Sequence, residues 1–553
     1  MKNRIFNASP AARSRILANC GMLVSALCFF AIAARLAQAA GPRDVPAKRP
    51  NFLFVLTDDQ SFSHTGINGD PVVKTPGFDR VAREGMNFTH AYCSAPSCSP
   101  SRAAILTGHN FYELGSASVL FSGFPGNLPT YQDILRQHGY FTGYTGKGFG
   151  PGFWSNEGRS TDPVGLNYNQ ITLNPAPPPE ICNLDYFENF KAFLKDRKEG
   201  QPFSFWFGSV EPHLPQQFGR GAAGGKKLED VILPPYLVDT PGTRHSFLDY
   251  YDEIEWMDAH LVKMLDYLES IGELENTVVI FTADNGMGAP RAKGDLYDPG
   301  TRMPFALMWK AKVKGGRTVT DFVNLMDIAP TLIELAGLTP PKEMTARSLV
   351  PIIESDAGGR IDPTRDFVVV GIERHDTSYP MRAIRTDDFL LIRNYADPKS
   401  NRRDDFWDTP TPPPAKEVEI RKKGFHYEPL MRLFSNPEIL PKSLLAFGPR
   451  PQWELYDVRN DPWELKNLAA DPAHAGTLDA LKKRMDDYLV RTGDPRALGT
   501  AKFDQYPHYG EVPKDDTATL NQIAAWKKFE AGSNQRIRAE IKATTPQPTA
   551  PQP

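Results

Sequence analysis

Two short stretches of the chain place oxygen-bearing side chains in a way that suits a metal ion. Asp58-Asp59 and Asp284-Asn285 each follow directly after an apolar run. Adjacent carboxylates repel each other unless a cation lies between them, although a solvated loop or a helix cap would also accommodate either pair alone. Taken together, the four side chains offer hard oxygen ligands, which favour Ca²⁺ or Mg²⁺ over zinc.

A single cysteine, Cys98, stands before a Ser-Pro-Ser-Arg run that leads into a helix-like stretch. Pro100 suits the first turn of a helix, which predicts that Cys98 lies at or just before a helix N-terminus. Such a terminus favours negative charge, and Arg102 adds a cation there, so the pattern indicates an anion site. A disulfide with Cys93, a thiolate nucleophile and buried packing stay open from these residues alone, whereas zinc-finger spacing is lacking.

Four apolar, β-rich runs end abruptly in polar residues, and helical periodicity separates them. The runs are 51–56, 203–210, 277–281 and 367–372. Their composition suits strands that are buried on both faces, and strands alternating with helices indicate an α/β fold with a large, mostly parallel sheet flanked by helices. Ligands bind at the carboxyl ends of such strands. We therefore expect the polar residues after the four runs to converge on one site.

The chain is predicted to contain four regions. Residues 1–39 combine a basic start, an apolar run and a small-residue cleavage pattern, which indicates a signal peptide, with an uncleaved anchor as the alternative. A catalytic domain is expected over 48–360 and a smaller α+β subdomain over 361–505. Residues 506–553 are expected to form a helical extension and a disordered Pro-rich tail.

The overall charge excludes one broad class of partner. The formal net charge is −3 at pH 7, and removal of the basic N-terminal segment would make the mature chain more acidic. A nucleic-acid-binding surface is therefore not expected. The predicted signal peptide indicates an exported protein, periplasmic or secreted. Apart from that segment, no run is long enough to span a membrane, so we expect no stable membrane association.

The run CSPSRAAILTG, from Cys98 to Gly108, resembles the signature of the type I, formylglycine-dependent sulfatases of the alkaline phosphatase superfamily. The resemblance also covers the order of the later landmarks and extends over most of the chain. Those landmarks are Gly146-Lys147, Pro212-His213, Asp284-Asn285-Gly286 and 297–304. Residues 373–394 look most similar to the heparan N-sulfatase (sulfamidase) group.

This resemblance implies an alkaline phosphatase-like fold and a modified cysteine. Cys98 would be oxidised to Cα-formylglycine by a formylglycine-generating or other sulfatase-maturing enzyme. The hydrated aldehyde would attack the sulfur of a sulfate ester or sulfamate and then collapse to release sulfate. The implied Ca²⁺ ligands are Asp58, Asp59, Asp284, Asn285 and the modified Cys98.

The resemblance also implies roles for residues around the sulfate. Arg102, Lys147 and Lys293 would bind the sulfate and the hydrated aldehyde, with Arg291 as the rival for the position of Lys293. His213 would act as an acid toward the leaving group or would bind the sulfate.

The substrate implied by the subgroup is a sulfated carbohydrate, with the N-sulfoglucosamine of heparan-like chains favoured. Glu373, Arg374 and His375 are the candidate specificity residues. One position departs from the family pattern: a histidine often stands two residues after the lysine, and here that residue is Phe149. His109 is a candidate replacement.

Three other functions stay open. One is an O-sulfatase that acts on another sulfated polysaccharide. A second is a phosphatase or phosphonate hydrolase of the same superfamily, for which a Thr or Ser nucleophile and a dinuclear zinc site would be diagnostic. The third, suggested by Phe149, is an inactive glycan-binding homologue.

Overall fold

Three β-sheets and thirteen α-helices form the part of the chain that the computed structural model describes, residues 49–376, 378–396, 437–510 and 512–544. The strands are β1 Asn51–Thr57, β2 Met86–Phe88, β3 Ala91–Tyr92, β4 Phe141–Gly146, β5 Leu166–Asn167, β6 Phe203–Gly208, β7 Thr277–Ala283, β8 Phe305–Met308, β9 Arg317–Val319, β10 Val323–Asn324, β11 Phe367–Arg374, β12 Ser378–Thr386, β13 Phe389–Asn394 and β14 Trp453–Asp457. The predicted signal peptide and the end of the predicted Pro-rich tail lie outside the described residues.

The helices surround these sheets. They are α1 Pro76–Glu84, α2 Cys98–Thr107, α3 Tyr131–Gln137, α4 Tyr186–Asp196, α5 Arg220–Ala223, α6 Pro241–Ser270, α7 Asp298–Thr301, α8 Ile328–Leu335, α9 Val350–Ile353, α10 Leu440–Phe447, α11 Ala475–Arg491, α12 Thr517–Ala531 and α13 Ser533–Thr544. Among the described residues, no helix is both long and apolar enough to cross a membrane.

The largest sheet has eight strands in the order β5-β4-β6-β1-β7-β8-β2-β9. Strands β5, β4, β6, β1 and β7 are parallel, and β8 is antiparallel to both of its neighbours. The predicted α/β fold with a mostly parallel sheet is confirmed.

Strand β1 lies in the middle of this sheet and is buried along its whole length. Phe54 and Leu56 pack into the core on one face, whereas Leu53 and Val55 pack into the core on the other. Because helices cover both faces, the strand is continuously apolar instead of alternating.

The parallel register decides where the site lies. Leu56 is paired with Gly208 of β6, and Thr57 is paired with Ala283 of β7. The three strands therefore end at the same level, so the residues that follow them meet at one edge of the sheet.

The fourth apolar run has a different location from the one predicted. It forms β11, which belongs to a four-stranded antiparallel sheet in the order β11-β12-β13-β14. This sheet has its own core, to which Val370, Ile372 and Leu390 contribute. The run is continuously apolar because this sheet is also covered on both sides, so composition did not distinguish the two sheets. The subdomain limits at residues 360 and 505 stay a prediction.

The last two helices lie against the outer edge of the large sheet. The backbone N–H of Asn167 in β5 donates to Asn534 Oδ1 at 2.7 Å, and Asn534 Nδ2 donates back to Asn167 O at 2.8 Å. Ile537 is fully buried in the core that contains β1. Asn534 thus satisfies backbone groups at the edge strand, which would otherwise be open to pairing with another chain.

Candidate active site

Three aspartates meet where β1 and β7 end. Asp58 and Asp59 follow β1, and Asp284 follows β7; all three are almost completely buried. The backbone N–H of Asp59 donates to Asp284 Oδ1 at 3.1 Å, which joins the two strand ends. Asp59 has a φ of 71°, a left-handed conformation that is uncommon for a residue with a side chain and is frequent at functional sites.

Each of these carboxylates is paired with a cation from a different part of the chain. Lys147, just after β4, forms a short ion pair with Asp58. Lys293 Nζ lies 2.8 Å from Asp59 Oδ2, and Arg102 Nε lies 2.7 Å from Asp284 Oδ2. Burial alone lowers the pKa of Lys293, but Asp59, Cys98 and Asp58 together outweigh that effect and raise it, so this ammonium stays charged.

Helix α2 delivers Arg102 from its first turns, and every residue of this helix is buried. The guanidinium also donates to the carbonyl oxygens of Lys147, at 2.9 Å, and Gly148, at 3.1 Å. These bonds hold the segment after β4 against the helix. Arg102 therefore positions Lys147 as well as pairing with Asp284.

Cys98 is the first residue of α2, as the proline pattern predicts, and is only 2% exposed. Its Sγ lies 3.5 Å from Asp58 Oδ1. Cys93, Cys98 and Cys182 are all free, so the considered disulfide between Cys93 and Cys98 is absent from the described structure. Burial raises the pKa of the Cys98 thiol to about 12 despite Lys147 and Lys293, which disfavours a thiolate nucleophile.

The carboxylate and amide oxygens of the cluster fit a hard divalent cation, whereas the Cys98 thiol and the His213 imidazole do not belong to such a ligand set. Ligand atoms of Asp58, Asp59, Cys98 and His213 all lie within 4.8 Å of one another. Asn285 Nδ2 donates to Asp59 Oδ1 at 2.7 Å, whereas Asn285 Oδ1 is buried without a hydrogen-bond partner among the described residues. Burying an unsatisfied amide oxygen is costly, and a bound cation would satisfy it.

The raised pKa of Asp284 also favours a bound cation in this cluster. Burial raises the pKa of Asp284 to about 6, and the nearby charge of Asp58 adds to the shift. Buried carboxylates in contact with each other are destabilised as anions, and a dication between them removes that repulsion.

His213 is the most exposed member of the cluster, with 29% of its side chain accessible. Its Nδ1 lies 2.5 Å from the carbonyl oxygen of Leu214, which can only accept, so Nδ1 carries a proton. Its Nε2 lies 3.8 Å from Asp59 Oδ2. Burial and Lys293 lower the pKa of His213, so the neutral ring presents Nε2 to the site as a proton acceptor.

The structure does not bring Glu373 to this cluster as a substrate contact, which corrects the expectation from sequence. Glu373 is 1% exposed, and its carboxylate lies 2.6 Å from Arg382 Nη2 and is also bonded by Arg496. Arg382 is itself paired with Asp494 at 2.8 Å. Glu373 therefore belongs to a buried ion-pair network that joins β11 and β12 to the segment after α11.

The other two predicted specificity residues have different positions. Arg374 donates to the backbone carbonyls of Tyr506, Pro507 and Leu120, so it also corrects the expectation of a side chain directed at substrate. His375 does approach the cluster: its Nδ1 lies 2.9 Å from the Oγ of Ser97, the residue before Cys98.

Two alternatives raised by the sequence have clear outcomes. Arg291, the rival of Lys293, is fully buried and donates to the carbonyl oxygens of Glu464 and Leu445, away from the carboxylates. His109 lies beyond the C-terminal end of α2, whereas Cys98 begins that ten-residue helix, which spans about 15 Å, so His109 does not take the place of the missing histidine.

Phe149 occupies the position where the family pattern often has histidine. Its ring packs edge-on against Phe124, with the centroids 4.9 Å apart. No proton-transferring group of the described cluster stands at this position.

Sequence reasoning missed two supporting residues. Tyr250, in the long helix α6, donates its hydroxyl to Asp59 O at 2.9 Å and accepts from Ser61 N at 3.3 Å. Ser97 links Cys98 to His375. The apolar periodicity of α6 predicts that Tyr250 is buried, but its partner lies 191 residues away and only the fold reveals it.

The chain is similar to known families and proteins along most of its length. A model described as Sulfatase matches residues 50–338, just over half of the chain, and one described as N-sulphoglucosamine sulphohydrolase, C-terminal, matches residues 292–416. Human N-sulphoglucosamine sulphohydrolase is 28% identical over 498 residues, which cover 81% of this chain and 91% of the relative. An ulvan-active sulfatase of Formosa agariphila is 25% identical, with 82% and 76% covered.

Solved structures show the same fold. A protein solved in complex with its substrate D-glucosamine-2-N,6-O-disulfate has a TM-score of 0.58 at 21% identity, with 81% of this chain and 99% of that chain covered. The phosphonate monoester hydrolase of Agrobacterium radiobacter has the same TM-score at 17% identity, with 80% and 96% covered, so the fold alone does not choose between the two chemistries. The family match does: the chain belongs to the sulfatase family and is a sulfuric ester hydrolase.

Proposed function

We propose that this sulfatase hydrolyses sulfated glycans, with the N-sulfoglucosamine of heparan-like chains as the favoured substrate, and that Cys98 acts after conversion to Cα-formylglycine. The observation that carries the proposal is the environment of Cys98. The residue begins a buried helix beside three cations and three carboxylates, yet its own thiol has a pKa too high for nucleophilic use. This environment supports a modified residue at position 98 in place of a thiolate nucleophile.

The oxygen ligands for Ca²⁺ in this proposal are Asp58, Asp59, Asp284 and Asn285, next to the modified residue. When bound, the ion supplies Lewis-acid stabilisation of negative charge on the transferring group. At position 98, the formylglycine hydrate would supply the nucleophilic hydroxyl, next to Asp58 and among the charges of Arg102, Lys147 and Lys293.

The protein's own cations bind the sulfate. Arg102, Lys147 and Lys293 equal the three aspartates in number, so the protein part of the cluster is close to neutral. A dication would leave the centre positive, which suits a sulfate monoester or sulfamate anion. Preorganised positive charge in a buried site stabilises the charge that develops in the transition state.

His213 moves a proton on the accessible side. Its Nδ1 proton is held by Leu214 O, so Nε2 is the atom that exchanges a proton with the leaving oxygen or nitrogen. Because the neutral ring starts as an acceptor, it must gain a proton before it can donate one.

The substrate proposal comes from two likenesses to the same group of enzymes. The C-terminal family match and the human relative both carry the name N-sulphoglucosamine sulphohydrolase. An N-acetylglucosamine-6-O-sulfatase of Bacteroides thetaiotaomicron is 25% identical over 469 residues, which keeps an O-sulfated glucosamine as the second candidate. We also propose export to the periplasm or medium, and maturation by a formylglycine-generating or other sulfatase-maturing enzyme.

Mass spectrometry of the peptide that contains Cys98 tests the modification. Active enzyme should show the mass change for replacement of the CH₂–SH group by an aldehyde, together with reactivity toward a hydrazide probe. Cys182, a half-buried cysteine outside the cluster, is the internal control and should remain a thiol. Full activity with an unmodified Cys98 thiol would refute the mechanism.

A panel of N-, 2-O- and 6-O-sulfated glucosamine saccharides tests the substrate. We expect sulfate release from the N-sulfated member in wild type and in Cys182→Ala, and none in Cys98→Ala. Release from only the O-sulfated members would select the second candidate. Hydrolysis of phosphonate or phosphate esters but of no sulfate compound would refute the proposed sulfatase activity.

A further inference from the structure

A cavity of about 410 Å³ lies between the C-terminal end of α11 and the start of β11. Its volume falls in the range of about 300–1,000 Å³ that is typical of small-molecule sites. One wall contains Thr345, whose Oγ1 accepts from the backbone N–H of Asn110 at 3.3 Å. Asn110 follows the C-terminal end of α2, whereas Cys98 begins this ten-residue helix, which is about 15 Å long. The cavity is therefore separate from the active site.

Three arginines line this cavity, and the most buried of them, Arg365, has a structural role. Its Nη1 lies 2.6 Å from Asp327 Oδ2, and its Nη2 donates to the carbonyl oxygens of Arg347 and Ser348 at 2.8 Å and 3.0 Å. Asp327 is the only carboxylate among the described residues of the lining. Because Arg365 neutralises that carboxylate, the charge of the other two arginines is left over.

Those two arginines have N–H groups to spare. Arg347 donates to Thr364 Oγ1, a neutral partner, at 3.0 Å, and 48% of its side chain is exposed. Its one ion-pair partner in the described part of the chain, Asp362, lies 3.9 Å away. Arg491, the last residue of α11, is exposed and forms no ion pair with any residue that the structure describes. Both guanidinium groups can therefore bind an anion, with two parallel N–H groups each.

The rest of the lining suits the body of a sugar. The hydroxyl-bearing residues Thr364, Thr492 and Tyr488 line the cavity together with Phe367. The rings of Phe367 and Tyr488 pack edge to face, with the centroids 5.8 Å apart, and the guanidinium of Arg491 lies 5.5 Å from the Tyr488 centroid. The rings offer apolar surface for C–H groups, and the hydroxyls can exchange hydrogen bonds with those of a pyranose.

We propose that this cavity is a second carbohydrate-binding site, which holds one sulfated sugar unit through Arg347 and Arg491. The choice of a sulfated sugar rests on the proposed function, whereas the preference for an anion rests on the two arginines alone. A heparan-like chain carries several sulfated units. Binding one of them here would keep the others at a high effective concentration near the enzyme, so the cavity would retain the glycan between cleavage events.

Arginine modification mapped by mass spectrometry tests this site in the full chain. Phenylglyoxal reacts with accessible guanidinium groups, so the reaction rates at Arg347 and Arg491 can be followed separately, with and without N-sulfoglucosamine. At a concentration about ten times its Kd, the sugar occupies about nine-tenths of its sites, so both rates should fall about tenfold. Arg459 is the internal control, because it is exposed and lies outside the cavity lining, and its rate should not change.

The comparison ligands decide what the cavity recognises. Unchanged rates at Arg347 and Arg491 with N-sulfoglucosamine would overturn the proposal, and so would an equal slowing at Arg459, which would mark a non-specific effect. Equal protection by inorganic sulfate would overturn the sugar assignment and leave an adventitious anion site only. Equal protection by N-acetylglucosamine, which is neutral, would overturn the role of the two arginines.

A double variant gives an independent measurement. In Cys98→Ala enzyme, the addition of Arg347→Gln and Arg491→Gln should remove one N-sulfoglucosamine site per chain in calorimetry. Lys483→Gln with Lys527→Gln is the matched control, because it removes two exposed positive charges elsewhere, and it should keep every site. An unchanged number of sites in the arginine variant would contradict the proposal. If wild type releases no sulfate from any glucosamine saccharide, the proposed substrate fails, whereas protection of the two arginines still decides whether the second site exists.

Discussion

Replacing Glu373 by glutamine separates a structural role from a substrate-binding role at this position. The substitution keeps the shape but removes a buried charge that is shared by Arg382 and Arg496. Breaking a buried ion pair costs about 3–5 kcal/mol. Arg382 keeps Asp494 and glutamine still accepts hydrogen bonds, so we expect about 3 kcal/mol, the low end of that range.

The expected change in melting temperature follows from the size of the chain. A protein of about 500 residues has an unfolding entropy of about 1 kcal/mol/K near its Tm, so 3 kcal/mol corresponds to a decrease of about 3 °C. Thermal unfolding and steady-state kinetics on a sulfate substrate should be measured together. Glu199→Gln is the matched control, because Glu199 is exposed, and it should change neither quantity.

The two roles give opposite results for Glu373→Gln. A structural role predicts a lower Tm with KM little changed below the transition. An unchanged Tm with a large increase in KM would refute the reasoning and restore Glu373 as a substrate contact.

Three further predictions follow from the site and its surroundings. Lys293→Ala should lower kcat/KM at least 100-fold, whereas Arg291→Met should mainly lower Tm; equal kinetic losses would contradict the assignment of the two cations. Chelator treatment should lower both Tm and activity, and Ca²⁺ should restore them better than Zn²⁺; restoration by Zn²⁺ alone would refute a hard-oxygen site. Burial lowers the pKa of His260 to about 4, so between pH 6.5 and 4 the unfolded chain binds a proton that the folded protein does not. The free energy of unfolding therefore decreases as the pH is lowered, by about 2 kcal/mol at pH 5. His260→Gln should reduce this decrease in acid-unfolding curves, and an identical slope in the variant would contradict the assignment.

The sequence was sufficient for three neighbouring strands of the large sheet, because these strands have the composition that burial on both faces requires. β1, β6 and β7 lie within or close to the predicted runs. Their common register then brings Asp58 and Asp284 together, as the polar ends of parallel strands predict. Local composition and one topological rule were enough for this part of the site.

The same reasoning failed for β11, because burial on both faces also occurs in the antiparallel sheet. The side chains of Glu373 and Arg374 could not be assigned from local sequence, since their partners are distant in the chain. Arg496 lies more than 100 residues after Glu373, and Asp494, which binds the nearer partner Arg382, is equally distant. The carbonyls bound by Arg374 lie more than 130 residues after it or more than 250 before it. The sequence of the triplet Glu373-Arg374-His375 would be the same whether its side chains bound a ligand or a neighbouring segment of the chain. Only the fold distinguishes these two roles.

The position of Phe149 links these observations. No histidine stands two residues after Lys147. A different imidazole, that of His375 at the end of β11, is hydrogen-bonded to Ser97, the residue before Cys98. Burial and the neighbouring lysines hold the pKa of His375 well below its usual value, so the ring is neutral and serves as a hydrogen-bonding partner of Ser97. The turn that supplies this ring is held in place by Glu373 and Arg374. Two of the three residues first expected to select the substrate therefore contribute to the site indirectly, because they hold the turn that carries His375 against the N-terminus of α2.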